Sequence, residues 1–135
     1  MTFIAFLFSA TLIVIAALHL VWALGIWLPI RDEAQLTRTV VGAKGMAEMP
    51  GPVPCAMVAM ICLFLAILPH LTSFPFRVPL MSAAGAVFIL RGFAPFFPAW
   101  RRLFPEQPFA RLDRLFYGRL CILLGLALLF LIPST

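Results

Sequence analysis

The chain carries very little charge. Ten Lys and Arg and five Asp and Glu make up 11% of its 135 residues, where a soluble domain holds about 25%. Apolar residues account for 64%, above the usual roughly 45–50%, and the mean hydropathy is +1.09. So few charged side chains cannot clothe a water-exposed surface. A soluble enzyme, a nucleic-acid-binding domain and a disordered tail are all excluded, and the length leaves room for one domain at most. The composition is that of a polytopic membrane protein. Its net charge of +5 and pI near 10.1 then matter through where the cations lie along the chain.

Other absences narrow the reading. Met1 to Ile30 contains no Asp, Glu, Lys or Arg. A secretory signal would need a positive start, a shorter apolar core and a small-residue cleavage site. The run has none of these and is long enough for a bilayer core of ~30 Å, so it reads as a retained transmembrane helix. The three cysteines, Cys55, Cys62 and Cys121, fall in or beside apolar runs, and an odd number argues against a disulfide scaffold. They read as small packing residues. Paired carboxylates inside the apolar runs, Gly-rich phosphate loops, CxxC pairs, HExxH and internal repeats are all missing. No catalytic residue and no metal site is assigned on this basis, and the sequence requires no cofactor.

What is present predicts an all-α integral membrane four-helix bundle over residues 1–135. Spans are expected at about 3–28, 53–68, 78–97 and 115–132, with an interfacial helix at about 32–41. Pro29, Pro50-Gly51-Pro52, Pro69, Pro95 and Pro133 punctuate these runs. Asp32 and Glu33 suit a first helical turn and Gly42 a stop. The first and third connections, with the adjoining helix edges, hold Arg31, Arg38, Lys44, Arg91, Arg101, Arg102, Arg111, Arg114 and Arg119, while the second holds Arg77 alone. Cation-rich short loops stay in the cytoplasm. Both termini are therefore expected on the non-cytoplasmic side.

Small residues recur at helical spacing: Cys55, Ala59, Cys62 and Ala66; Ser82, Gly85 and Ala86; Gly118, Cys121 and Gly125. Helices in lipid approach through such residues, since no hydrophobic effect drives them together. The stripes predict packing faces and say nothing of a cofactor.

Three polar features stand out against this background. His19 is followed by Trp22 and Ala23 on one face of the first span. Arg91 stays charged inside the third span, at a cost of at least ~2.5–3.5 kcal/mol unless it pairs or snorkels. Asp113, Tyr117 and Cys121 form a stripe at i, i+4 and i+8 on the fourth. Helical rise puts His19 and Arg91 at similar depth, roughly 13–15 Å below the cytoplasmic helix ends. His19, Trp22, Arg91, Asp113 and Tyr117 are thus expected to line one ligand or partner pocket, with Asp113 orienting the arginine. The bland alternatives are a histidine bonded to a neighbouring helix, an arginine snorkelling to lipid phosphates, and an Asp113 that caps its helix and pairs with Arg111 and Arg114.

The same residues carry a resemblance. His19-Leu20-Val21-Trp22-Ala23, Pro50-Gly51-Pro52, Leu90-Arg91-Gly92-Phe93 and Phe109-Ala110-Arg111-Leu112-Asp113, with Tyr117 and Cys121 following, resemble the bacterial membrane family called domain of unknown function 3995. Where that family usually reads Tyr-Ser-Pro-Leu-Cys, this chain has Tyr117-Gly118-Arg119-Leu120-Cys121. The resemblance implies four spans and brings no activity with it. The expected function is that of a non-catalytic multi-pass protein of the bacterial inner membrane. It would be an accessory subunit of a larger complex or a binder of a lipid-like ligand, with the bilayer and other membrane proteins as partners and no nucleic acid. The alternative is a small membrane enzyme or cofactor carrier acting through His19, Arg91, Asp113 and Tyr117.

Overall fold

The computed structural model describes residues 2–134, with side chains to residue 133. Positions 1 and 135, the two ends of the expected domain, lie outside the described residues. Everything described is helix, turn or irregular connection. The first long helix, α1 (Thr2–Ala23), is followed by a short α2 (Glu33–Val40). The second long helix, α3 (Pro52–Ile67), runs on through a 3₁₀ turn to His70, and α4 (Arg77–Phe93) runs on likewise to Phe96. A short α5 (Pro98–Leu103) precedes α6 (Phe109–Leu112), which passes through one π turn (Asp113–Tyr117) into α7 (Gly118–Leu131). The four long helical stretches hold 22, 19, 20 and 23 residues, or roughly 30 Å each at 1.5 Å per residue. All four are long and apolar enough to cross a membrane, and most of their large side chains, Phe3, Val14, Met60, Val87 and Leu123 among them, face outward. An exposed apolar surface of this extent marks a membrane or protein contact, and four membrane-capable helices suggest a multi-pass membrane protein.

Two helix boundaries differ from the pattern of apolar residues. α1 stops at Ala23 rather than near Leu28, because Gly25 takes φ +77°. Gly25 N–H donates to Trp22 O at 3.0 Å and Ile26 N–H to Val21 O at 2.9 Å, the paired bonds of a Schellman stop. Trp22 Nε1 then donates to Leu28 O at 2.7 Å and folds the apolar tail back. The fourth long helix starts at Phe109 rather than near Leu115, because its charged first turns are absorbed by a buried polar cluster described below. Around α2, Asp32 accepts from Ala34 N–H at 3.0 Å, and Gly42, at φ +67°, ends the helix against the Phe109 ring.

Packing pairs α1 with α3 and α4 with α7, and α1 meets α7 along the seam. The buried face of α3 is Cys55, Ala59, Cys62 and Ala66, the stripe of small residues. Against it, Phe8, Leu12 and Ala16 of α1 join Leu124, Leu128 and Leu131 of α7 in one core. α4 and α7 touch through two glycine pairs. A Cβ on Gly125 would lie 2.7 Å from Gly85 O, and one on Gly118 would lie 2.8 Å from Gly92 O. Both pairs are seven residues apart on their helices, so the antiparallel backbones meet twice on one face. Ala86, expected on this face with Gly85, is exposed instead.

The ends of α3 and α7 are tied by Arg77, whose residue is only 2% exposed. Its Nη2 donates to Pro69 O at 3.0 Å and to Leu131 O at 3.4 Å, Nε donates to Pro69 O at 3.3 Å, and Nη1 donates to Ile132 O at 3.5 Å. The carbonyls at helix C-termini lack intrahelical donors and carry partial negative charge, so one guanidinium satisfies several at once. At the same end, Ser9 Oγ gives its only hydrogen to Ala66 O at 2.7 Å. His70 Nε2, 2.9 Å from that oxygen, must then be the donor, which places its ring proton on Nε2.

Candidate functional site

At the opposite end of the bundle the first and third connections are stitched into one cap. Lys44 N–H donates to Leu103 O at 3.0 Å, Glu106 N–H to Gly42 O at 3.2 Å, and Gly45 N–H to Glu106 Oε1 at 3.2 Å. Phe109 fills the space beside Gly42. Beneath this cap the π turn accommodates an extra residue, and Gly118 N–H reaches back five positions to Asp113 O. Single π turns inside α-helices are frequent at functional sites. Glycine leaves room for this turn, because a Cβ at 118 would lie 2.7 Å from that same carbonyl and force a shift.

Asp113 therefore sits inside, 1% exposed, and both of its oxygens are occupied. Oδ1 accepts from Arg91 Nη2 at 2.9 Å, and Oδ2 accepts from Trp100 Nε1 at 2.9 Å. The Arg91 guanidinium carbon also lies 4.6 Å from the centre of the Trp100 ring, within cation–π range. One carboxylate thus joins α4, α5 and the fourth long helix. Nη1 of Arg91 is left over. It is buried, has no hydrogen-bond partner, and is the only such side-chain nitrogen or oxygen among the described residues. A buried donor in that state is rare in folded proteins and calls for a partner, such as water, an ion or a ligand.

The profile of the family described as "Protein of unknown function (DUF3995)" matches residues 12–128. The chain belongs to that family. No curated protein and no solved structure matches it. The matched stretch of this DUF3995 chain contains His19, Trp22, Arg91, Trp100, Asp113 and Tyr117, so the membership covers every candidate residue while bringing no activity.

Of the five residues expected to share a pocket, the structure brings Arg91 and Asp113 into direct contact. Tyr117 stands at the end of the same π turn, where its hydroxyl donates to Thr39 O at 3.1 Å and locks α2 onto the fourth helix. His19 and Trp22 make their contacts elsewhere. The His19 ring bonds Ile15 O of its own helix at 2.7 Å through Nδ1, and its centre lies 4.8 Å from that of the Trp22 ring in an edge-on arrangement. Trp22 packs with Leu36, Met49 and Cys55. Among the described residues no hydrogen bond, ion pair or ring contact joins His19 or Trp22 to Arg91, Asp113 or Tyr117. Asp113 is paired with Arg91 and not with its neighbours Arg111 and Arg114, the partners that adjacency alone suggested.

Trp100 is the site residue that sequence reasoning passed over. Its indole is an apolar ring that also donates a hydrogen bond through Nε1. Its position beside Arg101 and Arg102, nine residues from Arg91, was the available signal.

Proposed function

We propose that this protein is a non-catalytic, multi-pass protein of the bacterial inner membrane whose Arg91 end faces the cytoplasm. There it binds a lipid-like ligand or a polar group of a larger membrane complex to which it is an accessory subunit. The buried, unpartnered Nη1 of Arg91 carries this reading. A guanidinium fixed by Asp113 and Trp100 offers that donor in a set direction, which suits recognition of an anionic oxygen. The distribution of Lys and Arg supports the orientation.

Binding is favoured over catalysis by the state of the side chains. Both Asp113 oxygens already accept hydrogen bonds, and the Tyr117 hydroxyl is engaged with a backbone carbonyl. These bonds commit both groups to holding Arg91, Trp100 and α2 in place rather than to taking a substrate proton.

The test is purification of the full chain in mild detergent, with mass spectrometry of the lipids and proteins that copurify. The wild type should carry a defined lipid class or partner, and Arg91→Leu should lose it. Arg91→Leu also strands Asp113, so Arg91→Lys is measured beside it. Lysine keeps the charge against Asp113 but lacks the second guanidinium nitrogen, and should also lose the companion. Equal copurification in all three proteins would refute the reading.

A further inference from the structure

We infer that the cleft beside the Arg91–Asp113 pair binds the phosphodiester of an anionic phospholipid, held between Arg101 and Arg114. This names a ligand class for the binding reading above and rests on it, with Arg91, which does not itself line the cleft, holding Asp113 and Trp100 of its lining in place. The cleft has a volume of about 210 Å³, and its lining includes Trp100, Arg101, Phe104, Gln107, Asp113 and Arg114.

The charge balance of the lining selects an anion. Asp113 is its one acid, and Arg91 neutralises it. Arg101 and Arg114 have no ion pair and no side-chain hydrogen bond among the described residues, which leaves two guanidinium forks unspent. Gln107 uses its carbonyl oxygen to accept Arg111 N–H at 3.1 Å, so its amide NH₂ remains a donor. Two guanidinium groups and an amide, all donors, match the unesterified oxygens of a phosphodiester. Trp100 and Phe104, stacked at 4.3 Å, give the cleft an apolar wall suited to the glycerol side of such a headgroup.

The surroundings favour a lipid over a soluble phosphate. Leu103 and Leu115, next in the chain to Phe104 and Arg114, are exposed, as are Phe97 and Phe116. These apolar side chains flank the cationic cleft, where acyl chains would continue from a bound headgroup. Arginines and aromatic residues at a helix end are placed for this zone.

The experiment follows the melting midpoint of the full chain in neutral detergent. Separate samples receive phosphatidylglycerol, phosphatidylcholine or inorganic phosphate at millimolar concentration. Phosphatidylglycerol should raise the midpoint by at least about 3 °C, and phosphatidylcholine and inorganic phosphate should not. Arg101→Gln combined with Arg114→Gln should abolish that rise. Arg102→Gln combined with Arg111→Gln removes as much charge outside the cleft and should leave it intact. A rise that survives the first pair, or is lost equally with the second, would overturn the cleft assignment even if a lipid copurifies. An equal rise with phosphatidylcholine, which carries the same phosphodiester but no net charge, would overturn the anionic class, and an equal rise with inorganic phosphate would overturn the lipid source. If the wild type responds to none of the three, the cleft is not an anion site, and only the copurification experiment then bears on the broader binding reading.

Discussion

One helix, α4, presents an arginine at each end, and the two are used in different ways. Arg77 lies almost wholly inside the protein and spends its donors on the carbonyls of Pro69, Leu131 and Ile132. Arg91 is 29% exposed, pairs with one carboxylate, lies over one indole, and keeps a buried donor without a partner. The first is a tie between helix ends, satisfied by backbone the fold already contains. The second is held in place with capacity left over. Rarity of charge in a span therefore marks two different jobs, and the partners decide which.

Predictions that test this contrast begin with the scaffold holding both ends at fixed distance. Gly125→Leu should drive α7 away from Gly85 and Ile89 and lower stability by about 3 kcal/mol or more. Leu126→Ala, at a side chain 52% exposed, should cost under about 1 kcal/mol. Equal shifts in detergent melts would mean that α4 and α7 are not in the close contact described.

The next largest effect should come from Arg77→Lys. A single ammonium cannot reproduce the planar fork that serves several carbonyls, and a loss of about 2–3 kcal/mol is expected by chemical denaturation. Arg91→Lys, which retains the charge facing Asp113 at a partly exposed side chain, should lose less, about 1 kcal/mol. If the order is reversed, Arg91 is the structural tie.

Orientation gives a yes-or-no check. Single cysteines at Arg102 and Ser73, in a chain whose native cysteines are replaced by Ala or Ser, should label from opposite faces of the membrane, and under the proposed orientation Arg102 should be the one shielded from a reagent added outside. Labelling of both from one face would remove the four-span topology. The smallest effect is expected at His19. Its ring bonds its own helix, so His19→Phe should change stability by under about 1 kcal/mol and leave ligand retention as in the wild type.

How much of this could be read beforehand depended on whether the signal was local. The four apolar runs, the proline punctuation and the α3 stripe are local, and they led directly to the helices and one packed face. Gly25 was hidden because it lies within an apolar run, where composition continues but backbone conformation does not. Arg111, Asp113 and Arg114 suggested a loop, because burial of Asp113 depends on Arg91 and Trp100, which come from two other elements. Arg91 and Asp113 were legible as candidates from the cost of charge at depth. Arg77 was not, since a cation near a span edge looks like an ordinary snorkelling residue until the ends of α3 and α7 converge on it. His19 attracted notice for the same reason as Arg91, yet its need for a partner is met four residues away.

The central claim, that α4 ends in a tie at Arg77 and in a site at Arg91, is tested most directly by measuring both lysine variants side by side. Each is purified in mild detergent, and bound phospholipid or partner per protein is quantified together with the melting midpoint. The account predicts a double dissociation: Arg77→Lys melts earlier but keeps its companion, and Arg91→Lys melts near the wild type but loses it. Loss of stability and companion together in both variants would contradict it.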